Sequence, residues 1–66
     1  MGSYKPLYET MKKRHETTYT LIYKHGINPR TIHNIKKNKG ITTFTLEKLC
    51  RILKCTPNDV IEFVDE

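Results

Sequence analysis

Apolar residues recur at three- and four-residue spacing along most of the chain, the period of helices with one buried face. Leu7, Tyr8 and Met11 fall on one side of a first segment, residues 5–14. Pro6 suits its first turn, and Lys12, Lys13 and Arg14 collect at its end, where cations suit the helix dipole. A second helix is predicted over roughly residues 18–24, capped by Thr17, with Leu21, Ile22 and His25 inward and Tyr19 at the margin. The β-branched run TTYTLIY also allows a strand, but its short length and the stop at Gly26 favour a helix. Ile27 then packs, Asn28 caps and Pro29 opens a third helix to about Lys37. Its Ile32 and Ile35 point inward, and Arg30, Thr31, His33, Asn34 and Lys37 outward.

The tripeptide NKG reads as a turn. Beyond it Phe44, Leu46, Leu49, Cys50, Ile52 and Leu53 follow a helical period, with Thr42 or Thr43 as cap. Leu46, Leu49, Cys50 and Leu53 share one stripe, which predicts the central core helix. In TPND, Thr56 caps, Pro57 opens and Asp59 can reach back to the cap. That start predicts a fifth helix to about Phe63, although VIEFV could instead form an edge strand. Five short helices joined by short loops make an all-α bundle. The 66 residues form one domain (residues 1–66, core about 4–64), and a hydrophobic content of 36% supports a small core rather than disorder.

Charge changes the picture more than composition does. All twelve Lys and Arg lie in residues 5–54, whereas four of the seven acids (Asp59, Glu62, Asp65, Glu66) lie after them. Glu16 and Glu47 bound a stretch without any acid. A basic body beside an acidic end points to a polyanion-binding face and a separate end with another task. Other chemistry finds little support. Cys50 and Cys55 form no CxxC pair, and His15, His25 and His33 do not complete a zinc spacing. The cysteines read as small apolar residues in a reducing cytosol. No run approaches the ~18 apolar residues of a membrane span, and no signal peptide is evident. No catalytic constellation, glycine-rich phosphate loop or small-molecule site stands out. The expectation is a cytoplasmic, nucleoid-associated protein that is not an enzyme and needs no cofactor or metal.

The informative unit is the second helix, the turn at Gly26 and the third helix, about residues 18–37. Counted from Thr18, glycine falls at the ninth position, and Leu21, Ile27, Ile32 and Ile35 at the fourth, tenth, fifteenth and eighteenth. Glycine supplies the positive φ of a sharp turn. The apolar residues lock the two helices over the core, leaving the second of them protruding.

With these residues in place, the sequence resembles the helix-turn-helix regulators of the phage Cro and repressor type, the XRE family. The likeness runs over about residues 4–64, through TTYTLIYKHGINPRTIHNIKKNKGITTFTLEKLCRILKCTPNDVIEFV, and is greatest to short stand-alone members from bacteria and their phages. It implies a five-helix lambda-repressor-like bundle whose helices 2 and 3 form the helix-turn-helix. It implies that Thr18, with Thr17 before it, meets phosphate at the start of helix 2. The start of helix 3 (Asn28, Pro29, Arg30, Thr31, His33, Asn34) then enters the major groove, and Thr42 and Thr43 face phosphate on the flanking backbone. Two positions depart from the family pattern: Thr18, where many relatives carry the longer Gln, and Ile22, where a small residue is usual at the helix crossing.

The side chains are suited to those roles. Arg30 can bond guanine O6 and N7 in a bidentate way, and Asn34 adenine N6 and N7. Lys36, Lys37 and Lys39 fit phosphate, which sets affinity but not sequence. Arg30 is the first choice for base readout, with a phosphate contact as its alternative; for Asn34 the alternative is plain surface polarity, and His33 fits groove, phosphate or neither. The reading is a sequence-specific double-stranded DNA-binding transcriptional regulator, a repressor, acting as a homodimer on a pseudo-palindromic operator. Val60, Ile61, Phe63 and Val64 are the candidate dimer surface, or else they complete the monomer core. The alternative function is a protein-interaction module of the same fold, such as an antitoxin or adaptor, using the basic face on an acidic partner. RNA binding ranks third, since aromatic residues are not concentrated on the basic stretch.

Overall fold

A computed structural model of the protein describes residues 2–63. The element order is β1 (Gly2–Ser3), α1 (Lys5–Lys13), α2 (Thr18–Tyr23), α3 (Pro29–Lys36), α4 (Thr43–Leu53), a 3-10 turn (Pro57–Asp59) and β2 (Glu62–Phe63). The four helices lie where the apolar period predicted them. Tyr4, Leu7, Met11, Leu21, Ile27, Ile32, Ile35, Leu49, Leu53 and Val60 form one buried core, with Ile22, Leu46 and Cys50 packed against it.

Capping explains the helix boundaries. The backbone N–H of Thr20 donates to Thr17 Oγ1 (3.2 Å) and that of Thr17 donates to Thr20 Oγ1 (2.9 Å), a reciprocal box that starts α2. Asn28 Oδ1 accepts from the N–H of Arg30 (2.9 Å) and starts α3. Thr42, rather than Thr43, caps α4, accepting from the N–H of Thr45 (3.2 Å). Each helix then stops at a residue in the left-handed region: His15, Gly26, Asn38 and Lys54. The following N–H reaches back to the last turn in every case, Glu16 to Met11, Ile27 to Leu21, Lys39 to Asn34 and Cys55 to Cys50. Only one of the four terminators is glycine.

The predicted fifth helix is a correction. The Thr56–Asp59 box forms as expected, Asp59 Oδ2 accepting from the Thr56 N–H and hydroxyl (3.2 Å each). It closes a single 3-10 turn, after which Val60 turns fully into the core. The chain then extends, as β-branched residues favour, and Ser3 and Gly2 pair antiparallel with Glu62 and Phe63. Among the described residues the fold is therefore mostly helical, with four helices and a two-stranded ribbon rather than five helices alone.

Two apolar positions are also corrected. Phe44 is 83% exposed, because it stands two residues before Leu46 and so about 200° around the helix from that stripe. Tyr8, next to Leu7 in α1, lies at the border of the buried face and is exposed. Val60 is buried within the protomer and is not available to a partner, Ile61 is half-buried, Phe63 is 86% exposed, and Val64 lies outside the described residues.

Candidate nucleic-acid interface

The polar residues singled out from sequence stand at the starts of three helices, along α3 and at its exit. Thr17 and Thr18 stand at the start of α2, Asn28 through Asn34 over α3 from its cap, and Thr42 and Thr43 at the start of α4. Helix N-termini present unpaired N–H groups and the positive end of the dipole, both suited to anions. The cap side chains are committed to their own helices. Thr42 Oγ1 accepts from the Thr45 N–H and donates to Thr45 Oγ1 (3.1 Å), so any anion contact there falls to the backbone or to Thr43.

In α3, Ile32 and Ile35 are 5% and 4% exposed. Between and beside them Arg30 and His33 are exposed, while Thr31 and Asn34 are half-buried. Lys36, Lys37 and Lys39 are exposed at the exit. The described residues contain two ion pairs, His25–Glu16 and the i,i+4 pair Arg51–Glu47. Neither draws on a cation of α3 or its exit, so among the described residues the cations of that surface form no ion pair. The exit is tied down instead by main-chain contacts. Tyr4 donates its hydroxyl to the Lys39 carbonyl (2.6 Å), and Asn38 Nδ2 donates to the Gly2 carbonyl (3.0 Å).

The turn before α3 has the geometry its glycine predicted, Gly26 having φ 73°. Its surroundings were not foreseen. Glu16 Oε1 accepts from the Thr20 hydroxyl (2.7 Å), and Glu16 Oε2 lies 2.9 Å from His25 Nε2. The Thr20 hydrogen bond first, then the His25 contact, hold the Glu16 carboxyl below its ordinary value. Lys48 Nζ of α4 donates to the Gly26 carbonyl (3.4 Å). Of these residues His25 carried a sequence signal, as part of the inward face predicted for the second helix, and it is half-buried here; the Glu16, Thr20 and Lys48 contacts had none. Tyr19 and Tyr23 stack at the surface of α2 with ring centroids 4.6 Å apart. Among the described residues no cluster of three metal-ligating side chains occurs, and no helix is long and apolar enough to cross a membrane.

Three comparisons bear on this arrangement. The family model described as the Cro/C1-type HTH DNA-binding domain matches residues 7–66. The crystal structure of the transcriptional regulator VanUg, form II, superposes with a TM-score of 0.87 at 26% sequence identity, covering 98% of this chain and 87% of that one. No curated protein matches the sequence significantly.

Proposed function

Because the chain belongs to the Cro/C1-type helix-turn-helix DNA-binding family, we propose that it is a sequence-specific transcriptional repressor that lays α3 in the major groove of double-stranded DNA. In this reading residues 1–66 act as one DNA-binding domain, and α2, the Gly26 turn and α3 (about residues 18–37) are its helix-turn-helix. The observation that carries it is the two-sided character of α3. Its isoleucines are spent on the core, and its other side offers Arg30, Thr31, His33 and Asn34 with no carboxylate in the segment. Arg30 and Asn34 supply base contacts, and Lys37 and Lys39 supply phosphate contacts. The starts of α2 and α4, with Thr17, Thr18, Thr42 and Thr43, hold the flanking backbone.

A helix of eight residues reads only about four base pairs, so useful specificity calls for two copies on a pseudo-palindromic operator. Phe63, exposed beside a groove lined by Leu46, Pro57 and Ile61, supports the end of the ribbon as the dimer surface.

Binding measured across a salt series, with duplexes selected from a random pool, tests the reading. The selected duplex should bind at least ~10³-fold more tightly than random duplex. Arg30→Ala should relax the preference at one base pair. Lys37→Ala should weaken all duplexes alike and reduce the salt slope by about 1. Equal binding of selected and random duplex, with neither variant altered, would overturn it.

A further inference from the structure

Two side chains from outside the turn that launches α3 bond at it or beside it. Lys48 of α4 reaches the Gly26 carbonyl. Glu16 spans the whole of α2. Its side chain is only 12% exposed, and each carboxylate oxygen has its own partner: Thr20 within α2, and His25 just beyond the C-cap Lys24. A carboxylate immediately before Thr17 is adverse to binding a polyanion, yet both oxygens are engaged within the fold.

We propose that Glu16 is a positioning residue for DNA reading: through His25 it fixes the Gly26 turn and thereby the direction in which α3 leaves α2. The inference rests on the DNA-binding reading above. Leverage supports it. His25 is followed by the left-handed Gly26, by the buried Ile27 and by the cap Asn28, so rotation at His25 passes directly into α3. Eight residues span about 12 Å, and a swing of about 10° moves the far end of such a helix by about 2 Å. That displacement exceeds the tolerance of a hydrogen bond to a base edge. The neighbouring charge Lys24 is exposed and makes no bond to the Glu16 carboxylate among those described.

Three variants separate positioning from charge and from bulk stability. Glu16→Ala removes both contacts. Glu16→Gln keeps an acceptor for Thr20 and a donor for the His25 ring while removing the charge. His25→Ala breaks the same link from its other end and leaves the Glu16–Thr20 bond in place. The readouts are the ratio of selected to random duplex affinity and, in the free protein, amide hydrogen exchange of Gly26 and Ile27. Glu16→Ala and His25→Ala should each lower the ratio about tenfold, the worth of a hydrogen bond to a charged group. Both should speed exchange at Gly26 and Ile27 relative to Leu53. Glu16→Gln should return the ratio to within about twofold of the parent. Random-duplex affinity, which phosphate contacts set, should not fall in any of them. An unchanged ratio in a Glu16→Ala or His25→Ala protein that is folded by circular dichroism overturns the proposal, as does failure of Glu16→Gln to restore it. A parent protein that does not discriminate between duplexes overturns the DNA reading and this proposal with it.

Discussion

Tyr4 donates its phenolic hydroxyl to the Lys39 carbonyl across 2.6 Å, so the residue that precedes α1 holds the loop that leaves α3. The ring of Tyr4 is part of the core. Tyr4→Phe keeps that packing and leaves one carbonyl without its donor. The expected cost is about 1 kcal/mol, seen as a fall in Tm of roughly 4–8 °C for a domain of this size. An unchanged Tm would mean that water replaces the hydroxyl at no cost.

Gly26→Ala should destabilise through the backbone rather than by collision. A Cβ there meets only Lys48 Nζ, at 4.0 Å, whereas φ is +73°. The left-handed conformation costs an L residue about 1–2 kcal/mol. Gly40→Ala is the control, since nothing lies within 4 Å of its Cβ and its φ is not in that region. Urea unfolding should shift its midpoint for Gly26→Ala and leave it nearly unmoved for Gly40→Ala.

The opposite substitution should help at the end of α4. Lys54 adopts φ 52°, and its contact with Arg14 uses the main-chain carbonyl, which glycine retains. Relief of the left-handed strain, offset by the greater freedom of glycine in the unfolded chain, predicts a gain of up to about 1 kcal/mol for Lys54→Gly. A lower urea midpoint would count against the strain argument.

Acid should loosen the α2 region first. The folded protein holds the Glu16 carboxyl below its ordinary value of 4.5, so the unfolded chain binds the proton more readily. The Glu16 contribution is full above that ordinary value and is lost as pH falls through the depressed one. Urea midpoints measured from about pH 6 to about pH 3 should therefore decline, and the decline should be shallower in Glu16→Gln.

Cys55 should resist alkylation in the native state. Burial, followed by the neighbouring Cys50, pushes its thiol up to about 11, so little thiolate exists near neutrality. Iodoacetamide at about pH 8 should label Cys55 slowly in the folded protein and readily in denaturant. Burial also raises Tyr4 above its usual value near 10. Both groups contribute stability that is complete below their unfolded values and is lost as pH rises through the folded ones. Denaturant midpoints should consequently fall on the alkaline side.

Much of this protein is written locally. The apolar period of Leu21, Ile27, Ile32 and Ile35, the caps Thr17, Asn28 and Thr42, and the glycine at 26 act over one or two turns of chain. They specify α2, the two-sided α3 and the start of α4 without reference to distant residues. That local code, together with the absence of acids between Glu16 and Glu47, also sufficed to direct attention to a polyanion. Tertiary structure decided whatever depends on partners far along the chain. Nothing local distinguishes a helix from a strand in VIEFV; pairing of Glu62 and Phe63 with Ser3 and Gly2 does, once Val60 has entered the core. The same holds for the long-range polar contacts around α3. Glu16 and His25 stand nine residues apart, Lys48 and Gly26 twenty-two, Tyr4 and Lys39 thirty-five. A polar side chain finds such a partner only after packing of the apolar stripes has fixed where the helices lie.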